Sequence, residues 1–91
     1  MDAYNFRTFL ERMRGKNAAE VVAAARQEAE SAYRRSFGVK GAVKAREAGS
    51  VQYARRLEKL VWFLHNGMRP AGISDADFEI FQLFKQQNSI T

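Results

Sequence analysis

Three cations and two large aromatics stand together past the middle of the chain: Arg55, Arg56, Lys59, Trp62 and Phe63. Cations at helical spacing can neutralise a run of phosphates, and aromatic faces can stack on bases or on guanidinium groups. Trp and Arg are also enriched where proteins bind one another. At about 100° per residue, Tyr53, Ala54, Leu57, Leu60, Val61 and Leu64 fall on one apolar arc. Arg55, Arg56 and Lys59 lie across from it, and Trp62 and Phe63 flank this basic strip. The competing reading makes Trp62 and Phe63 ordinary core beneath a neighbouring helix.

Other chemistries find no support. The chain has no cysteine, so thiol catalysis, a disulfide framework and thiolate metal sites are excluded, which fits the cytoplasm. His65, the one histidine, has no second ligand at metal spacing and sits in a last helical turn, where a cation is mildly favoured. Asp75, Asp77 and Glu79 are explained as first-turn residues that cap a helix and complement its dipole. The glycines form no phosphate loop. No catalytic residue, metal site or cofactor motif is assigned, and the expectation is a non-enzymatic protein.

Net charge is +5, and its distribution says more than its total. Residues 34–69 hold nine basic and two acidic groups, whereas residues 1–33 balance and residues 70–91 are net acidic. Such asymmetry bears on partners rather than on fold. It nominates Arg34, Arg35, Lys40, Lys44, Arg55, Arg56 and Lys59 as phosphate contacts, with Trp62 adding stacking or interface area. The longest apolar run, Leu60–Leu64, is far short of a membrane span, and the first residues lack the pattern of a signal peptide.

Residues 45–57 share one spacing with the helix-turn-helix, an alanine (Ala45) four residues before a glycine (Gly49). The register then fails. Ser50 stands where that motif wants an apolar residue, and Arg55 and Glu58 occupy later slots that should be buried.

The elements that must position these residues are all helical. Phe6, Phe9, Leu10 and Met13 make one stripe, predicting a helix over about 3–14 with Asp2 as cap and Gly15 as stop. Val21, Val22, Ala25, Ala29, Ala32 and Tyr33 share a face of a second helix over about 18–37, opened by an Asn17/Glu20 capping box. Its alanines invite close approach by another helix, while Arg26, Glu30 and Arg34 support it by ion pairs. Three glycines weaken residues 38–49, which are expected to be mobile around a short helix over 42–48. A further helix is predicted over 51–65 with Ser50 as cap and Asn66-Gly67 as stop, and a last one over 75–87 capped by Ser74.

That last helix is apolar around more than half its circumference, through Ala76, Phe78, Ile80, Phe81, Leu83 and Phe84. A one-sided surface helix needs a stripe of only about 100°. The helix is therefore either central to the core or buries a second face against another chain. The thin core of a 91-residue domain favours the second, with Phe78, Phe81 and Phe84 as a homodimer face.

The expectation is a single all-α domain over residues 1–91, a compact bundle of four to five short helices. It would bind nucleic acid or a nucleoprotein complex through the basic centre. The alternative is a helical protein-interaction module, such as an adaptor or a small inhibitor of a larger assembly with an acidic surface. Membrane binding is not expected.

Overall fold

In the computed structural model, the helices lie where the apolar stripes demand them. It describes residues 5–38 and 44–90, and for residues 35–38 and 44–48 the backbone alone. Four helices and no strand occur among the described residues: α1 (Phe6–Arg12), α2 (Ala18–Gly38), α3 (Lys44–Asn66) and α4 (Asp75–Gln87).

The local signals mostly act as their chemistry requires. Asn17 Oδ1 accepts from the Glu20 amide at 2.9 Å while Glu20 Oε1 accepts from the Asn17 amide at 3.3 Å, the two halves of a capping box. Ser74 Oγ accepts from the Asp77 amide at 3.1 Å and opens α4. Gly67, at φ +69°, turns the chain out of α3 and returns its amide to the Phe63 carbonyl at 2.8 Å. The start of α1 departs from expectation. Asn5 caps it, accepting from the Thr8 amide at 3.2 Å; Asp2 lies outside the described residues.

A larger correction concerns residues 44–50. Among the described residues no separate short helix precedes α3, and Ser50 lies inside α3 rather than at its start. One helix runs unbroken through Gly49, and Ser50 is buried at 2% exposure. A glycine in a helix interior costs about 1 kcal/mol against alanine, less than the packing of a long amphipathic face returns. The continuity also removes the turn that a helix-turn-helix over residues 45–57 needs. The rest of the segment expected to be mobile, residues 39–43, lies outside the described residues.

The two long helices are antiparallel and meet along the alanine face of α2, with Ala25, Ala29 and Ala32 buried against α3. Beyond this seam, α1 and α4 close over the other side of α3 with aromatic rings. Phe63 meets Phe78 edge-on at 5.8 Å and Phe81 at 5.9 Å, and Phe81 meets Phe6 at 5.7 Å. Phe81 and Phe84 are buried within the chain, and Phe78 is half-buried. Of the wide apolar arc of α4, Phe81 and Phe84 are thus core, Phe78 and Ile80 are half-buried, and Ala76 and Leu83 stay exposed.

Polar ties fix the helices to one another. Arg12 of α1 reaches both carboxylate oxygens of Glu28 of α2, at 2.9 and 2.8 Å, and the Tyr53 hydroxyl of α3 donates to the same carboxylate at 2.6 Å. Asn88, just after α4, donates to the carbonyls of Met13 at 2.7 Å and Lys16 at 3.0 Å, closing the end of α1.

Candidate functional site

Helix α3 sorts its cations by which neighbour they face. Arg56 turns towards α1 and α4. Its guanidinium lies 4.4 Å from the Phe6 ring centre and pairs with Asp77 at 2.8 Å. Its Nε is buried without an acceptor among the described residues, so the side chain serves the fold at some cost in hydration. Lys59 donates to the Gly72 carbonyl at 3.0 Å and pins the loop before α4. Phe63 is core at 3% exposure. Two of the three cations of the expected basic strip, and one of its flanking aromatics, are therefore engaged with other parts of the fold.

Arg55 and Trp62 face the other way. They are two turns apart on one line of α3, beside the exposed edge of the α2 seam. Trp62 keeps 42% of its surface in solvent, unusual for an indole beside an unfilled apolar shelf. That shelf is a shallow pocket of about 260 Å³, floored by Ala25, Ala29 and Val61. Small side chains on α2 leave it open, where larger ones would fill it.

Charged residues border this shelf, Arg26 and Glu58 directly and Arg55 one turn before Glu58 on α3. Arg26 Nη2 lies 3.4 Å from His65 Nε2, and no carboxylate among the described residues pairs with either. Arg55 lies beside the Tyr33 hydroxyl, which donates to Glu58. Burial and the Glu58 hydrogen bond hold the Tyr33 phenol above its ordinary value, and Arg55 partly offsets them. Glu58, the nearest acid to Trp62 on α3, is thereby engaged with Tyr33. Arg34 pairs with Glu30 on the exposed surface of α2. The side chains of Arg35, Lys40 and Lys44 lie outside the described residues.

No protein-family model, curated protein or solved structure matches the chain. The site must be read from its own chemistry.

Two members of the cluster escaped the sequence. Arg26 looked like the start of an i, i+4 ladder with Glu30 and Arg34, and His65 like an isolated helix-end residue. They are 39 positions apart and meet only because α2 and α3 run antiparallel. No local pattern records such a pairing. Among the described residues no three acidic or histidine side chains converge to hold a metal ion, and no helix is long and apolar enough to cross a membrane.

Proposed function

We propose that the chain is a non-enzymatic binding protein that takes nucleic acid, alone or within a nucleoprotein complex, on the Trp62 face of the α2–α3 hairpin. One observation carries this reading. A half-exposed indole borders an alanine shelf that Arg26, His65 and Glu58 also line, with Arg55 two turns before Trp62 on α3. Such a face offers a base a plane to stack on and offers the flanking phosphates nearby cations. Single strands fit better than duplex, because their bases are already unstacked and the indole lies along a helix surface rather than at a projecting tip. Arg34, Arg35, Lys40 and Lys44 extend the positive charge of the sequence towards the α2–α3 connection. Arg56 and Lys59 belong to the other side of α3, tied to Asp77 and to the Gly72 carbonyl, and each keeps part of its side chain in solvent.

Trp62 is the only tryptophan, so its emission reports on the site directly. Titration with an unstructured oligonucleotide at low salt should quench it. Affinity should fall with salt at a log–log slope of about −0.7 per phosphate neutralised on a single strand. Trp62→Ala should weaken binding by roughly 1–3 kcal/mol with little change of slope. Arg26→Ala should flatten the slope by about one unit. If neither single-stranded nor duplex nucleic acid binds at low salt while the fold is intact, the reading fails and a protein-interaction role takes its place.

A further inference from the structure

A second unfilled surface lies on the opposite side of the molecule, between α1 and α4. The two helices run side by side in the same direction, since Phe6 meets Phe81 and Asn88 meets the Met13 carbonyl. Between them runs an open groove of about 620 Å³. Its floor is made by Phe6, Ile80 and Phe84, with the Arg56 guanidinium laid over the Phe6 ring. Its walls carry Leu10 and Leu83, and Leu83 holds 54% of its surface in solvent. No side chain among the described residues covers it, and α4 buries Phe81 and Phe84 instead.

The rim is charged, and its sign selects the occupant. Arg12 turns from α1 towards α2 and is satisfied by Glu28, whereas Arg7 and Arg14 line the groove without a carboxylate partner among the described residues. Glu11 between them is the single acid of the lining. A second copy of this chain would bring the same cationic rim, and the chains carry net +5 each, so self-association meets like charge. Nucleic acid would find phosphate contacts at the rim but no exposed ring to stack on, since Phe6 and Phe84 are buried. A largely apolar floor with cationic edges fits an acidic amphipathic helix.

From this groove we infer that the α1–α4 face docks an acidic amphipathic helix of another protein. The docked helix places large apolar side chains over Leu10 and Leu83, as helix-in-groove complexes do with anchors at i, i+3 or i+4, and i+7. Its carboxylates lie towards Arg7 and Arg14. Arg7 lies in the first turn of α1 and Arg14 in the turn just after its end, so the matching acids on the partner lie towards opposite ends of the docked segment.

The test is selection from a displayed library of helical peptides, with apolar and acidic positions randomised, against the full chain. Anisotropy of the selected peptides then gives their affinity. Selected peptides should carry Asp or Glu towards opposite ends, beside Leu, Met or Phe. Leu83→Glu should weaken them more than tenfold with unchanged thermal melting, as should Arg7→Glu with Arg14→Glu. Replacing the peptide's two acids by Lys should restore binding to the doubly reversed protein and abolish it for the original. Four results overturn the inference: no peptide selected, binding indifferent to these substitutions, a dimer in sedimentation that Leu83→Glu dissociates, or equal loss of oligonucleotide binding in the rim variants. The last two would give the groove to a second copy or to nucleic acid.

Discussion

On the side of α3 that faces α1 and α4, Arg56 lies over Phe6 and Phe63 sits among other phenyl rings. On the side that borders α2, Arg55, Trp62 and His65 stay in solvent. Arg55 and Arg56 are neighbours in the chain, as are Trp62 and Phe63, and each pair is split between the two sides. The difference comes from the partners. Phenylalanines on α1 and α4 fill the space above one side and draw cations onto their faces. Alanines on α2 bring the other helix close but leave the rim of the seam unfilled. A basic, aromatic helix thus acquires a structural edge and an open edge from the size of the residues opposite.

The sharpest way to break this comparison is to truncate one ring on each side. Phe63→Ala should cost about 3–5 kcal/mol, as for a fully buried phenyl ring. That is a large share of the roughly 5–15 kcal/mol that holds a domain together. Phe81→Ala should behave alike and act on stability alone. Trp62→Ala should leave denaturant unfolding almost unmoved while reducing oligonucleotide affinity. Equal destabilisation by Phe63→Ala and Trp62→Ala would erase the distinction between the edges.

The arginine pair gives a smaller contrast. Arg56→Ala removes the stack on Phe6 and leaves Asp77 without its partner. Because part of the pair is in water, a loss of about 1–2 kcal/mol is expected. Arg56→Lys should recover only part of it, since an ammonium has no planar face to lay on the ring. Arg55→Ala should leave melting in place and flatten the salt dependence of binding. Calorimetry and salt titration on the same two variants check both halves.

The smallest effect at neutral pH, and a growing one in alkali, concerns Tyr53, which ties α3 to α2. Burial first, then the hydrogen bond to Glu28, raises its phenol above the ordinary value of 10.0. Because the folded value is the higher one, the protonated phenol contributes stability that is whole below about pH 10 and is lost as pH rises through the folded value. Melting of the wild-type chain should therefore decline in strong alkali. Tyr53→Phe should start slightly lower and decline less steeply; parallel curves would show that Tyr53 carries none of the alkaline loss.

The helices were legible wherever a stripe and a cap coincided. Asn17 with Glu20, Ser74 with Asp77, and Asn66-Gly67 mark ends that the structure keeps. Gly49-Ser50 misled, because a glycine followed by a serine reads as a stop and a cap, while burial of Ser50 carries one helix through both. The candidate site was legible in half. Arg55 and Trp62 were visible as neighbours on one line of a helix, but Arg26 and His65 belong to separate helices. Placing Arg56 and Phe63 required knowing what lay opposite them.

By itself the sequence determined the helical periods, the caps at Asn17 and Ser74, the alanine face of α2, and the concentration of positive charge in residues 34–69. These follow from interactions within a few residues and from composition. The tertiary structure alone decided that Phe81 and Phe84 of α4 are buried, that Arg56 pairs with Asp77 and Lys59 with the Gly72 carbonyl, and that Arg26 meets His65. It also left Leu83 beside an open groove. The physical reason is range. Side-chain burial and ion pairing across helices depend on which faces pack together, and packing is settled by the volumes of residues far apart in the chain.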